Sequence, residues 1–346
     1  MSHRFLCAIM AGLIVFSAVL AGQTKPTAPA PKSNWTPPKT SWGDPDIQGI
    51  WPGTEMIGTP LQRALSVGDR EILTESEFTQ REAQRKEEAA FDSAEYVTDA
   101  LRCDPKRGGL GNTPDTCANG VSIGPPLYWQ DRGTPNKQTS LVVDPPNGRI
   151  PPLTPEAQKL AADRAAARRG HGPADSWEDR SAWERCLTRG AIGFLPTGYN
   201  NGNEIIQAPG YVVIRIEMIH EARIVPLDGR PHAGAGIRSY NGDSRGRWEG
   251  NTLVVETTNF NDKATVNNIP LSDAARLIER FTRVDANTLN YEVTVDDPMT
   301  WTKPWKIAFP LKRDPSYKLF EYACHEGNLF MVDALKGARA EEKGAK

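Results

Sequence analysis

The chain has 346 residues, carries 41 Lys and Arg against 43 Asp and Glu, and has a net charge of −2 with histidine neutral. A chain of this length can bury a large core. Its basic residues alternate with acidic ones and form no basic cluster, so the composition argues against a nucleic-acid-binding protein.

The N-terminus has the three-part layout of a secretory signal peptide. A short basic head, Ser2-His3-Arg4, precedes an apolar run over residues 5–20, and small residues before Gly22 offer a cleavage site. We therefore expect residues 1–22 to be removed and the protein to be periplasmic or secreted. The apolar run is too short for a comfortable membrane span and no second one follows, so no membrane span is expected after cleavage.

The cysteines predict two disulfides. Signal cleavage removes Cys7 and leaves Cys103, Cys117, Cys186 and Cys324, an even number in an oxidising compartment. The Gly-, Pro- and Asn-rich loop between Cys103 and Cys117 closes easily, which favours that pair and leaves Cys186 with Cys324. The alternative is that one pair stays reduced.

The first half of the mature chain is predicted to be a leader followed by helices and loops. Residues 23–45 are rich in Pro, Lys, Thr and Ser and predict a disordered leader. Residues 46–200 are expected to contain the first strands together with helices and loops. Capping signals predict two helices there: one from about Glu75 to Asp92 with a Thr74/Glu77 capping box, and one after the N-cap Thr154 with Pro155 at its first position and Gly170 at its end. A further short helix is expected from Trp177 to Cys186.

Residues 201–335 are typical of an antiparallel meander, because apolar and β-branched runs recur between turn signals. The Gly250-Asn251 pair predicts a two-residue hairpin turn, which places Arg245 opposite Glu256. A similar turn within residues 285–288 places Thr282 opposite Tyr291. The alternation from Leu289 to Val295 predicts one apolar face on that strand.

These patterns predict one mainly β domain over residues 46–335. Its core over 201–335 is expected to be an antiparallel barrel or a strongly curved sheet with N-terminal helices, and a two-sheet sandwich is the runner-up. Gly49-x-Trp51 resembles the opening strand of lipocalin-like barrels. Residues 336–346 are expected to be a disordered tail.

The stretch from Glu217 to Phe260 is unusually rich in ionisable groups for a strand region. Its first part allows two structures. A hairpin around Ile219-His220-Glu221 would place Glu217 opposite Arg223, although these residues are poor turn formers. One long strand that bends near His220 would instead put Glu217 and His220 on opposite faces.

His220 is the leading candidate for a general acid or base in a partly apolar cavity. The carboxylates that could orient it are Glu217, Asp228 and Asp243, of which Glu217 and Asp243 are assigned with it to catalysis. The alternative is a non-catalytic histidine whose ring bonds to a backbone carbonyl, with Glu217 and Arg223 forming a structural ion pair.

The other candidates are expected to bind substrate. Arginines suit an anionic or hydroxylated group, and an aromatic ring at a pocket mouth stacks on a sugar or an apolar ligand. The residues assigned to this role are Arg223, Asp228, Arg230, His232 and Trp305.

No spacing predicts a cofactor. A metal site would need His220, His232 and His325 with Glu217 or Asp243, but the chain has no local His-x-His or His-Glu-x-x-His motif. Ser244 lacks the Gly-x-Ser-x-Gly elbow of serine hydrolases. We therefore expect no metal and no other cofactor.

A set of motifs over residues 141–328 resembles a large family of exported bacterial proteins that has no established activity. The resemblance implies relatedness and export but no reaction. The motifs are Asp144-Pro-Pro-Asn-Gly-Arg-Ile-Pro-Pro-Leu-Thr-Pro-Glu, Trp183-Glu-Arg-Cys186, Glu217-x-x-His-x-x-Arg223, Leu227-Asp-Gly-Arg-Pro-His232, Gly242-Asp-Ser-x-Gly-x-Trp-Glu-Gly-Asn-Thr-Leu-Val-Val-Glu256, Asp297-Pro298 with Thr302-Lys-Pro-Trp305, and Glu321-Tyr-x-Cys324.

Two functions follow from these observations. The first is an exported enzyme that uses acid/base chemistry, hydrolytic or eliminative, on a small organic or carbohydrate substrate. The second is a non-catalytic, lipocalin-like protein that binds a small molecule or a glycan. A carboxylate within hydrogen-bonding reach of His220 would favour the first, and a large apolar cavity without ionisable groups would favour the second.

Overall fold

A computed structural model describes residues 35–92, 131, 133, 135–326 and 328–344, with the backbone alone over 88–92. Strands dominate these residues and every sheet pairing is antiparallel. The strands are β1 (Gly49–Ile50), β2 (Val142–Asp144), β3 (Asn203–Ala208), β4 (Tyr211–Ile216), β5 (Ala222–Pro226), β6 (Asp243–Glu249), β7 (Thr252–Thr258), β8 (Thr265–Val266), β9 (Ile269–Pro270), β10 (Arg276–Arg283), β11 (Thr288–Asp296) and β12 (Trp305–Lys312). The predicted mainly β fold is confirmed.

The strands form a four-stranded sheet in the order β1-β3-β4-β5, a six-stranded sheet in the order β2-β12-β11-β10-β7-β6, and the small pair β8-β9. The two larger sheets contribute to one hydrophobic core. At one side β5 passes close to β6, since a Cβ on Gly246 would lie 2.8 Å from a methyl of Val225 and 2.6 Å from one of Leu227. No closed barrel is found among the described strands, so the barrel stays a prediction.

The β6–β7 hairpin turns at Gly250-Asn251 and pairs Arg245 with Glu256, as the sequence predicts. The next turn differs by one residue from its prediction, because Thr282 pairs with Asn290 and Phe281 pairs with Tyr291. The reason is burial. Phe281 and Tyr291 are both fully buried, so their side chains must lie on the same interior face of the sheet. If Thr282 paired with Tyr291, Phe281 would lie on the opposite face.

A buried ion pair links the two sheets. Arg223 of β5 donates to Glu279 of β10 through both terminal nitrogens, at 2.5 and 2.9 Å, and the Tyr291 hydroxyl donates to the same carboxylate at 2.9 Å. Glu279 is fully buried, and its charge raises the pKa of Arg223 despite the opposing effect of burial. Arg223 is therefore a structural residue of the core and not a member of an open site, contrary to its assignment to substrate binding.

Trp51 closes the core beside β1. Its ring is fully buried, its indole N–H donates to the Ile47 carbonyl at 2.9 Å, and the guanidinium carbons of Arg313 and Arg283 lie 4.8 and 5.6 Å from the ring centroid. Gly49 precedes it with a φ of +132° and Arg313 packs against its Cα, a position that a side chain would obstruct.

The long helices are α1 (Glu75–Asp92), α2 (Pro155–Ala167) and α3 (Leu329–Gly344). The first two begin as predicted, because Glu77 bonds back to Thr74 and the Thr154 hydroxyl accepts from the Ala157 N–H. In place of the third predicted helix there is a single 3-10 turn, Trp177–Asp179. None of these helices, within the described residues, could cross a membrane.

The structure differs from the expected disorder at both ends of the described chain. Helix α3 covers most of residues 336–346, since Ala, Glu, Lys and Arg favour helix and Arg339 donates to the Asp175 carbonyl at 2.8 Å. Part of the predicted leader is also ordered, because the Asp46 N–H donates to the Pro38 carbonyl at 2.7 Å.

Cys186 and Cys324 form a disulfide, as predicted. The bond joins the loop before β3 to the segment that follows β12. Cys103 and Cys117 lie outside the described residues, so their pairing stays a prediction.

We expect Glu279→Gln to lower the free energy of unfolding by about 3–5 kcal/mol, because it leaves the Arg223 charge buried without a partner. Urea unfolding followed by circular dichroism measures this loss. Asp163→Asn, which breaks the exposed helical pair with Lys159, is the control and should cost less than about 0.5 kcal/mol. Equal effects of the two changes would contradict a central role for the buried pair.

Candidate functional site

The β4–β5 hairpin carries the strained backbone nearest to the predicted catalytic residues. The chain turns at Met218-Ile219, the His220 N–H donates to the Glu217 carbonyl at 3.0 Å, and Arg223 pairs with Ile214. The hairpin alternative is therefore observed, but it turns earlier than expected and does not place Glu217 opposite Arg223. Ile219 and His220 have φ of +62° and +46°, a region that costs a non-glycine residue about 1–3 kcal/mol and recurs at functional sites.

Burial explains how so poor a turn sequence folds. Met218 and Ile219 are 0% and 3% exposed, so packing of their side chains offsets the unfavourable turn conformation. His220 follows them and is exposed.

Glu217 anchors the base of this hairpin. Its carboxylate accepts from the Gly202 N–H at 3.0 Å, the Phe320 N–H at 3.0 Å, the Asn200 amide at 3.1 Å and the Tyr317 hydroxyl at 2.7 Å. All four partners lie outside β4 and β5. The carboxylate is thus committed to holding the segment after β12 against the hairpin, and it does not bond to His220.

The segment after β12 also orients His220. The Nδ1 atom of His220 lies 2.8 Å from the Tyr322 carbonyl oxygen. A carbonyl oxygen can only accept, so Nδ1 must carry the proton. In the neutral imidazole the lone pair then lies on Nε2, which has no hydrogen-bond partner among the described residues. The His325 ring centroid is 6.5 Å from that of His220.

Three further side chains adjoin His220 and Tyr322. Burial, together with the neighbouring Tyr322 side chain, holds the pKa of Tyr199 well above its usual range. Burial lowers the pKa of Arg189, an effect that Glu221 and the two tyrosines partly offset. We call this group, made of Arg189, Tyr199, His220, Glu221, Tyr322 and His325, the hairpin-tip site.

Asp131 and Tyr317 form a further group of ionisable side chains beside Glu217. Asp131 accepts from the Asn201 N–H at 3.0 Å and from its amide at 2.8 Å, and the Tyr317 hydroxyl is 3.4 Å away. Burial raises the pKa of Asp131 more than these bonds lower it. Burial, the bond to Glu217 and the neighbouring carboxylates raise the pKa of Tyr317 strongly, so this hydroxyl stays protonated.

An open groove of about 430 Å³ begins at His325. Its lining combines aromatic, cationic and amide groups, and the Arg185 guanidinium lies over the Trp177 ring with its carbon 4.8 Å from the centroid. Trp177 is 52% exposed. The groove is lined by Trp177, Arg185, Leu187, His325, Asn328 and Met331.

His232 and Asp243 form a separate cluster. His232 Nδ1 lies 3.0 Å from an Asp243 oxygen, and its Nε2 lies 3.5 Å from Glu256. Asp243 also accepts from the Ala233 N–H at 2.9 Å and from Arg245 at 2.7 Å. Burial raises the pKa of Asp243, but these hydrogen bonds outweigh it and the net shift is downward.

The remaining predicted residues occupy other positions. Asp228 and Arg230 form an exposed pair with each other at 2.5 Å, and Arg230 also donates to the Tyr211 hydroxyl at 3.1 Å. Trp305 was expected at a pocket mouth but is 1% exposed, because it begins β12 and packs edge-on against Trp301 at 5.5 Å. The structure therefore keeps His220 and Glu217 together and places the other candidates elsewhere.

The histidines do not converge on a metal site. His220 and His325 are neighbours, whereas both nitrogens of His232 face carboxylates in the separate cluster. In the described part of the chain no group of three or more His, Cys, Asp or Glu side chains could hold a metal ion.

Sequence reasoning missed Arg189, Tyr199, Tyr317 and Tyr322. The predicted Cys186–Cys324 disulfide was a usable signal for Tyr322, because it places the residues just before Cys324 beside the loop that follows Cys186. No pattern in the sequence marks Arg189.

No model of a known protein family matches this chain, and no curated protein is similar to it at the level that indicates relatedness. The resemblance to exported bacterial proteins stays a prediction.

We expect diethyl pyrocarbonate, which acylates unprotonated imidazole nitrogens, to modify His220 faster than His232. Nε2 of His220 is open, whereas both nitrogens of His232 lie near carboxylates and the side chain is 24% exposed. Peptide mapping by mass spectrometry measures the two rates, with the exposed His171 as reference. Faster modification of His232 would contradict the assigned geometry.

We expect Asp243→Asn to lower the free energy of unfolding by about 1–2 kcal/mol near neutral pH, because it weakens the bonds from Arg245 and His232. The pKa of Asp243 is lower in the folded protein, so its contribution is complete above the unfolded value of about 3.9 and is lost as the pH falls through the folded value. The difference between wild type and variant should therefore vanish in strong acid. Asp273→Asn, at an exposed carboxylate, is the control for unfolding curves across pH and should show no such trend.

Proposed function

We propose that this is an exported enzyme that carries out acid/base chemistry at the hairpin-tip site, with His220 as the general base. The observation that carries the proposal is the bond between His220 Nδ1 and the Tyr322 carbonyl, which leaves Nε2 without a hydrogen-bond partner among the described residues. This is the carbonyl contact expected of a non-catalytic histidine, but it also fixes the tautomer that a base acting through Nε2 requires.

A tyrosine would assist as a hydrogen-bond donor. The pKa of Tyr199 lies well above its usual range, mainly because the phenol is buried, so this side chain stays protonated at neutral pH and can donate a hydrogen bond. Its neighbour Tyr322 supplies the carbonyl that orients His220. A base beside a hydrogen-bond donor suits either a hydrolytic or an eliminative reaction.

Glu217 has a positioning role in this proposal. It ties Tyr317 and the Phe320 N–H to the hairpin, and so it holds the segment that carries the Tyr322 carbonyl against His220. Asp243, assigned to catalysis from the sequence, bonds to His232 instead and has no part in the proposed reaction.

The groove that begins at His325 is the proposed substrate path. The exposed Trp177 ring, with the Arg185 guanidinium over it, suits a small organic or carbohydrate molecule. The same feature supports the second candidate, a protein that binds such a ligand without turning it over.

Export is also part of the proposal. The signal-like residues 1–22 and the Cys186–Cys324 disulfide support it, because disulfides persist in oxidising compartments.

A panel of neutral and acidic polysaccharides, aryl glycosides and esters tests the enzyme proposal, with new reducing ends, released phenol and new C=C absorbance as readouts. We expect His220→Gln to lower kcat/KM by about 10²–10⁴ and to abolish the limb of the pH profile that reports the base. His171→Gln, at an exposed histidine elsewhere on the surface, should leave both unchanged.

Retention of wild-type turnover by His220→Gln would refute the assignment of the base. Binding of panel compounds by titration calorimetry with turnover absent in the wild type would favour the second candidate.

A further inference from the structure

Arg189 is a partly buried arginine without a charge partner. No carboxylate of the described residues lies within ion-pair distance of its guanidinium, and its one recorded side-chain hydrogen bond there is a long one, 3.4 Å to the Leu195 carbonyl. Burial lowers the pKa of this side chain, and Glu221, Tyr199 and Tyr322 offset that effect only in part. A buried cation is costly unless it is paired, so this arrangement calls for an explanation.

Three other buried arginines bond to the fold at shorter distances. Arg223 has two short bonds to Glu279, at 2.5 and 2.9 Å. Arg63 donates to the Thr139 hydroxyl at 3.0 Å and to the Pro146 carbonyl at 2.8 Å. Arg283 donates to two backbone carbonyls at 2.9 Å, although its Nε has no partner. Arg189 differs from all three because its one side-chain bond is 3.4 Å long.

The nearest acidic residue does not neutralise Arg189. One oxygen of Glu221 accepts from the Asn241 amide at 2.9 Å, and the other faces the backbone N–H of Arg189 at 3.4 Å. Glu221 thus helps to position the Arg189 backbone, while several guanidinium N–H groups remain available.

The surroundings of Arg189 suit a small anion. Tyr199 and Tyr322 lie close enough to affect its pKa, and their hydroxyl groups are further donors. His220 adjoins the same Tyr322 through its Nδ1 bond of 2.8 Å. An anion held by the guanidinium would consequently lie in the neighbourhood of the proposed base.

We propose that Arg189 binds a carboxylate group of the substrate, so that the hairpin-tip site acts on an organic acid. The reaction on the bound acid rests on the proposed function, whereas the binding of the carboxylate by Arg189 does not. A planar carboxylate matches two parallel N–H groups of a guanidinium. A phosphate dianion would meet one guanidinium and the neighbouring Glu221 carboxylate, a poor balance of charge.

Ligand-observed NMR and titration calorimetry with matched probes test this assignment. The probes are glucuronate and benzoate, their neutral counterparts methyl glucoside and benzamide, and inorganic phosphate. In the wild type we expect each carboxylate to bind at least about tenfold more tightly than its neutral counterpart and more tightly than phosphate.

Arg189→Gln should reduce carboxylate binding by about tenfold or more without lowering Tm, because it removes a charge that the fold does not compensate. Arg189→Lys should restore part of the affinity. Arg247→Gln, at an exposed arginine paired with Glu249, is the matched control and should bind like wild type.

Several results would overturn the assignment: no preference for the carboxylate over its neutral counterpart, tighter binding of phosphate, or unchanged binding by Arg189→Gln. A marked fall in Tm for Arg189→Gln would do the same, since it would show a structural role. His220→Gln should still bind the carboxylates. Intact binding in that variant, combined with unaltered turnover, would refute the catalytic proposal alone.

Discussion

The buried ion pair between Arg223 and Glu279 is the contact on which the candidate site depends. It joins β5 of one sheet to β10 of the other, and Tyr291 adds a third polar group in the core. A buried ion pair is stable only when the two groups are well aligned and their remaining hydrogen bonds are made. This requirement constrains where β5 can lie. Since β5 follows directly after His220, fixing this strand also fixes the hairpin tip.

The hairpin tip is held from its other side by the segment after β12. Glu217 accepts bonds from Tyr317 and Phe320, the Tyr322 carbonyl orients His220, and the disulfide of Cys324 ties the segment down. The fold thereby supports a strained turn whose own residues are poor turn formers. Strain of this kind persists only where the surrounding structure determines the backbone from several directions.

Arg223, within the hairpin, and Arg189, in the loop before β3, illustrate opposite uses of the same residue type. Arg223 is compensated by a carboxylate of the fold, and it stabilises the core. Arg189 has no such partner among the described residues and lies beside two tyrosines and the oriented imidazole. An uncompensated cation next to a candidate base is a more informative sign of function than the density of charged residues in the sequence.

The sequence by itself determined the helix caps, the Gly250-Asn251 hairpin and the apolar face of β11, because each of these features depends on residues that are close together in the chain. The tertiary structure alone decided which ionisable groups meet. Arg223 and Glu279 are 56 residues apart, and His220 lies 102 residues from Tyr322. Such pairings follow from sheet register and chain crossing, which the pattern of a single strand does not encode.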